Sequence, residues 1–530
     1  MNVAVPPNGD SHARRYEGLS AEQSLSSSVD APRRHDEGAI PSLDVTDARD
    51  PELYALVERT LRQAADLLRR ATDERGWHSR YSRFPVLTQP FQSGLPHITF
   101  DVSPTVAHYT DVIGVKQGQF TLLGYDDIPS FAELFEYVSN HERLSTYLGL
   151  EGHDGFDFTK IKAEYALDFA KITVALVFFG LLERVLHLHG FDFTDSQLRD
   201  SYLEIEAGLL DENLPLEIVV PIALTPFGFD DAVEIADNLL IERMDEEWQL
   251  ARMPESQVGI GEAANSMVIS AATHAFVFRG YTMPNSNRYI SRADRLGFYP
   301  VEQINRAFAA LRIATGIRTG YAQVSIRPVG WAFDWKAHLP PVGGGTLVRR
   351  YPPSFDDWGW IEAPPGPISI EKAQEVGELD SLLDSAPSNV QLASRRYLGA
   401  GLREVEEDEV VDICIGLEAA LGEKSPTEIT HKLALRAAAV LATEGDDPPT
   451  VFRDVRAIYR YRSAIVHGTA PEKKRLIRRK DGTEVPAAEV ASEYLRRILQ
   501  ALLRNADWRD PSFIDDELLL GQIATNNDHA

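Results

Sequence analysis

Apolar positions at alternating spacings of three and four begin at Pro51. Leu53, Leu56, Val57, Leu61, Leu67 and Leu68 share one side of PELYALVERTLRQAADLLRRA, which predicts an amphipathic helix with proline in its first turn. Short runs between residues 83 and 125, HITFDV and GQFTLLGY among them, sit between Gly, Pro and Asp and predict strands and turns. Helical patterns follow near 129–147 and 159–189, then strand-like runs at SYLEIEAGLL, LEIVVPIAL, SMVISAATHAFVFRG and YAQVSIRPVGW, with a helix at VEQINRAFAALRIATG. After residue 388 the pattern is helical only, in SNVQLASRRYLGAGL, DEVVDICIGLEAALG, PTEITHKLALRAAAVLA, VFRDVRAIYRYRSAIVHG and PAAEVASEYLRRILQALLRN. Thr427 and Gly468 read as a helix start and a helix stop.

These patterns divide the chain into five parts. Residues 1–50, rich in Ser, Asp, Pro and Gly, are expected to be disordered, and 51–338 to form an α+β region. Residues 339–387 are expected to be a Pro/Gly-rich linker with a connecting helix, Trp358 and Trp360 anchoring it on a neighbour. Residues 388–505 form an all-α bundle and 506–530 a tail, so the fold class is multidomain. At ~100 to 200 residues per domain, a chain of 530 residues is too long for one compact core.

Charge narrows the function classes. The formal net charge of −27 argues against a protein that coats nucleic acid or anionic membrane without selectivity, so any polyanion must enter by a local basic patch. One cysteine, Cys414, excludes an internal disulfide and a cysteine-only zinc cage, and fits a reducing compartment. The longest apolar run, Ile172–Leu182, is flanked by Lys171 and Glu183 and falls short of the ~20 residues that span a bilayer. With no signal-like N-terminus, a soluble cytoplasmic protein without membrane contact is expected.

Chemistry concentrates in the segment from Phe452 to His467. Projected at about 100° per residue from Arg453, Ile465, Ile458, Val455, Val466, Tyr459 and Phe452 span about 120° to 260°, while Arg453, Arg456 and Arg460 lie opposite. Arg462 falls at about 180°, in the middle of the apolar stripe. A guanidinium cannot shed its charge there, so it requires a partner, for which Glu418 is available, or an anionic ligand in a cleft. Five residues on stands His467, before Gly468, at a helix C-terminus where the dipole favours the imidazolium. Such a pair can cleave RNA without a metal or cofactor, the imidazole moving a proton and the guanidinium holding the phosphoryl oxygens. The spacing itself is not selective: with 14 histidines, about one such pair is expected by chance, and Arg184 with His189 repeats it.

Context separates the two pairs. DEVVDICIGLEAALG, EITHKLALRAAAVLA and YRYRSAIVHG, in that order, resemble the three blocks of the Apea-like branch of the HEPN superfamily over about 120 residues. The resemblance implies a helical domain that pairs as a homodimer, bringing two R-x(4-6)-H motifs into one cleft. It also implies metal-independent endoribonuclease activity of the kind found in bacterial anti-phage defence, abortive infection and toxin systems. Arg462 and His467 match the motif. Ser463 stands where members often carry Asn, Asp or His; a hydroxyl still hydrogen-bonds but is no strong base.

Thirteen basic against six acidic residues give segment 451–505 a charge of +7 and the rest of the chain −34. Lys473, Lys474, Arg475, Arg478, Arg479 and Lys480 are therefore candidate RNA-binding residues beside the motif. His187 and His189 are two apart on a helix with no third ligand adjacent, so no metal site is expected. The expected function is a HEPN ribonuclease effector with residues 51–338 sensing a trigger, such as a phage product. The alternatives are a non-catalytic HEPN interaction or nucleotide-binding module, and an enzyme centred in the N-terminal part.

Overall fold

The structure is a computed structural model describing residues 32–34, 47–75, 81, 83–102, 106–109, 113–114, 123–148, 150, 163–254, 264–285, 293–361, 366–423, 429–469, 475–479 and 482–521. It is a mixed α+β protein with one large antiparallel sheet and many helices.

The first layer is helical. Helix α1 (Pro51–Arg75) buries Leu53, Val57, Leu61, Ala64 and Leu68, as its periodicity predicts. It packs with α2 (Phe131–Asn140), α3 (Glu142–Tyr147), α4 (Ala163–His189) and α5 (Asp195–Leu210) around a core of their own. The run SYLEIEAGLL, expected as a strand, is the second half of α5: a capping box between Thr194 and Gln197 starts the helix upstream and carries it through. Ala170–His189 is long and apolar enough to cross a membrane by composition, more than the uninterrupted run indicates, and 50% of that window is buried. Its inward side chains, Val174, Phe178, Leu181, Leu182 and Val185, belong to the helical core.

Strand β1 (Arg33–Arg34) lies within the segment expected to be disordered. Two small pairs follow, β2 (Phe84–Leu87) with β3 (Ile98–Asp101) and β4 (Ile113–Gly114) with β5 (Leu123–Gly124). The large sheet runs β11-β10-β6-β9-β8-β7, formed by β6 (Asn213–Pro221), β7 (Val233–Ala236), β8 (Leu239–Arg243), β9 (His274–Pro284), β10 (Tyr321–Pro328) and β11 (Gly345–Arg350), with β1 on β9. Short helices α6 (Glu246–Ala251) and α7 (Ser266–Ser270) sit between strands, and α8 (Val301–Thr315) with α9 (Ile370–Asp384) pack on one another and share a core with the sheet. The stretch expected as a linker thus supplies edge strand β11 as well as α9. Trp360 is buried, its indole donating to the Phe355 carbonyl, while Trp358 is 48% exposed.

His274 illustrates how the sheet disciplines polar groups. Fully buried on β9, its Nε2 donates to the Phe229 carbonyl at 2.8 Å, so Nδ1 accepts from Thr273 Oγ1 at 2.9 Å. Burial lowers its pKa from 6.5 to about 4. Because the unfolded chain takes up the proton first, stability falls as pH drops from 6.5 towards 4, by about 3 kcal/mol from this group. Urea unfolding of wild type and His274→Gln across that range is expected to show the steeper acid loss in the wild type; parallel curves reject the assignment.

The C-terminal part contains α10 (Ser388–Ala400), α11 (Glu406–Leu421), α12 (Ile429–Ala442), α13 (Pro448–Val466) and α14 (Ala487–Arg504). It is predominantly helical rather than all-α, because hairpin β12 (Leu476–Arg478) with β13 (Glu484–Pro486) lies between the last two helices. The stretch expected as a tail folds back: Ile514 is fully buried and Asp515 pairs with Arg436, itself 1% exposed. The apolar core of the sheet continues without a break through α8 and α9 into α10–α14.

Candidate functional site

Helix α13 opens on Pro448 and Pro449 and buries Val451, Asp454, Val455, Ile458, Tyr459, Tyr461 and Ala464. Gly468, at φ 65°, stops it: the amides of Gly468 and Thr469 donate to the carbonyls of Ile465 and Ala464 at 2.9 and 2.8 Å. Val466, expected inside the apolar stripe, is 58% exposed because it lies at the very end of the helix, two residues before the stop at Gly468.

Arg462 is half-buried, against α11. Its neighbours are Cys414 and Tyr459, whose hydroxyl donates to the Cys414 carbonyl at 3.1 Å. Burial pushes the Cys414 thiol up to about 12, with Arg462 pulling the other way and Glu418 adding to the rise. Arg462 and Glu418 thus flank the same pair of groups, but no ion pair joins them among the described residues. The Nε of Arg462 is buried with no hydrogen-bond partner among the described residues.

His467 is exposed at the C-cap, its amide donating to the Ser463 carbonyl at 3.1 Å, and Ser463 is exposed one turn earlier. Five helical residues turn through about 500°, so Arg462 and His467 leave the axis about 140° apart. Arg462 faces the bundle, whereas His467 shares the outer face with Ser463, Arg460, Arg456 and Arg453. One chain does not bring the two motif side chains together.

The basic run divides. Arg475 is ion-paired with Glu406 and Arg479 with Asp454, which also accepts from Tyr494 Oη at 2.8 Å, so both tie the hairpin to the helices. Arg478 is exposed on β12, and Lys473, Lys474 and Lys480 lie outside the described residues. Sequence reading set Arg453, Arg456 and Arg460 aside as a solvated face; in the structure none of the three has a carboxylate partner among the described residues.

The decoy pair behaves differently. Arg184 donates to the Leu339 carbonyl at 2.9 Å, lies 5.8 Å above the Trp335 ring, and offsets the half-buried Glu204, while His189 is exposed. Nearby is a cleft of about 600 Å³ with Tyr81, His108, Glu183, Phe333, Trp335 and Lys336 among its walls. Its buried acid is engaged: Glu183 accepts from Tyr81 Oη, and His187 Nε2 donates to the Ala107 carbonyl at 2.8 Å. No three His, Cys, Asp or Glu side chains are grouped to hold a metal among the described residues. In comparisons with known proteins, no family model, no curated protein and no solved structure matches this chain.

Proposed function

We propose that the chain is a HEPN-type endoribonuclease of bacterial defence, cutting RNA without a metal through Arg462 and His467. The observation that carries this reading is the orphaned Nε of Arg462, a cationic donor held in a half-buried seat with no ion pair among the described residues. A seat of that kind costs stability and is justified by a ligand that arrives with negative charge. In the proposed reaction the ribose 2′-oxygen loses its proton and attacks the adjacent phosphorus. The bond from phosphorus to the 5′-oxygen breaks, and that oxygen takes up a proton, leaving a 2′,3′-cyclic phosphate and a 5′-hydroxyl. His467 moves the proton; the Arg462 fork stabilises the charge gathering on the phosphoryl oxygens.

The divergence of the two side chains around α13 supports a homodimer, in which Arg462 of one copy and His467 of the other serve one phosphate. The helical and sheet layers before the bundle are assigned the sensing of a trigger, and the protein is placed in the cytoplasm. Ser463, with only a hydroxyl to offer beside the motif arginine, favours the second reading, a non-catalytic interaction or nucleotide-binding module. Incubating the purified chain with RNA in EDTA, and measuring its mass by light scattering in the same buffer, separates them. Cyclic-phosphate ends and a two-chain mass are expected. Activity abolished by EDTA and restored by a divalent ion, or an active monomer, rejects the proposal.

A further inference from the structure

We infer that the outer face of α13, carrying Arg453, Arg456 and Arg460, is the track on which the RNA phosphate backbone lies on its way to His467. This rests on the ribonuclease reading and adds the docking surface. All three side chains are exposed. Arg453 spends its Nε on the Pro449 carbonyl and Nη2 on Thr450 Oγ1, both at 3.0 Å; Arg460 spends its Nε on the Arg456 carbonyl at 3.1 Å; Arg456 lies 5.5 Å above the Phe452 ring. These contacts hold the arginines in place without neutralising any of them.

Elsewhere in the helical part, many arginines are matched with acids. Arg436 meets Asp515, Arg475 meets Glu406, Arg479 meets Asp454, Arg496 meets Glu493, Arg497 meets Glu444 and Arg504 meets Glu375. A chain with 80 acidic and 53 basic residues has carboxylates to spare, yet among the described residues none pairs with this face. The arrangement is also unfavourable in itself, since like charges three and four residues apart on a helix repel. A bound polyanion reverses that sign. From Arg453 to His467 the face extends about 21 Å at 1.5 Å per residue, with the arginines in line and the imidazole at its end. A row of guanidinium forks that stops at a proton-transfer group fits a phosphodiester chain, whose anions repeat along its length and whose scissile bond must reach that group.

The test reads binding, not cleavage. Fluorescence anisotropy with a labelled single-stranded RNA of about 20 nucleotides, over a series of salt concentrations, yields affinity and salt slope. In the triple variant Arg453→Gln/Arg456→Gln/Arg460→Gln the slope is expected to fall by about 2, and affinity by roughly 100-fold at 0.1 M salt, since each single-strand phosphate contact contributes about 0.7 to the slope. Arg395→Gln is the single-arginine control, an exposed arginine on α10 away from this face, and is expected to keep the wild-type slope. A triple variant with the wild-type slope overturns the track while leaving the cleavage reading standing. A wild-type protein that binds no RNA at low salt overturns both. Binding of polyglutamate in place of RNA, lost in the triple variant, replaces the occupant with an acidic protein and overturns the RNA track.

Discussion

Arg462→Met is expected to lower RNA cleavage by about 10² to 10³-fold, the scale of removing one preorganised donor from a developing anion, while the melting temperature stays level or rises. The two changes run in opposite directions for one reason. The guanidinium occupies a half-buried position beside Cys414 and Tyr459 with its Nε unbonded, so a methionine of similar length keeps the packing and removes an uncompensated charge. A structural ion pair with Glu418 makes the contrary forecast: Arg462→Met and Glu418→Gln would each strand a partner and lose about 3 to 5 kcal/mol. Arg462→Lys, which keeps the charge but not the fork, is expected to cut poorly as well. His467→Ala, at an exposed C-cap, is expected to fold normally and to be inactive. Arg184→Ala serves as the control: it releases the Leu339 carbonyl and leaves Glu204 without its compensating charge, so it weakens the fold but spares cleavage per folded molecule. Cleavage rates and melting curves across this set decide the matter. A His467→Ala protein that cuts at the wild-type rate would sink the site.

Asp454→Ala is expected to cost about 3 kcal/mol in urea unfolding, because one buried carboxylate serves two donors. Asp454 is 6% exposed, accepts from Tyr494 Oη on α14, and pairs with Arg479 next to β12. Its loss leaves a phenol and a guanidinium facing an apolar methyl. Arg479→Ala should lose less, since the remaining Asp454 keeps its tyrosine. Neither change is expected to alter the salt slope of RNA binding, which distinguishes this arginine from those on the outer face of α13. A loss below about 1 kcal/mol for Asp454→Ala rejects the argument.

Local signals were readable in the sequence and distant pairings were not. The stripe of α1 and the stop of α13 at Gly468 both follow from periodicity and backbone preference within a few residues. Arg462 was visible as an anomaly because helical projection requires no knowledge of partners. What its neighbours do was hidden, since whether Glu418 touches Arg462 depends on how two helices cross. The ion pairs of Arg475 and Arg479 were hidden for the same reason: their acids stand 69 and 25 residues away. Pro and Gly density from residue 339 to 369 read as a linker, yet β11 is an edge strand, where interrupted sequences are tolerated. SYLEIEAGLL failed through its β-branched and aromatic content, which a capped helix upstream overrode.

The continuous core also bears on how the chain is made. A ribosome delivers the sheet and α8 before the helices that cover them. On the finished protein Arg312 of α8 donates to the Leu398 carbonyl and lies over Tyr397, Arg496 donates to the Ile313 carbonyl, and Gly401 leaves no space for a Cβ beside the Arg312 guanidinium. Until residues beyond 390 emerge, that wall of α8 is bare, with apolar surface and a guanidinium whose eventual seat is still being translated. A nascent chain with that wall bare is expected to need shielding during synthesis, and a premature stop within α10–α14 is expected to yield an aggregation-prone fragment, which the solubility of a chain ended at residue 387 checks.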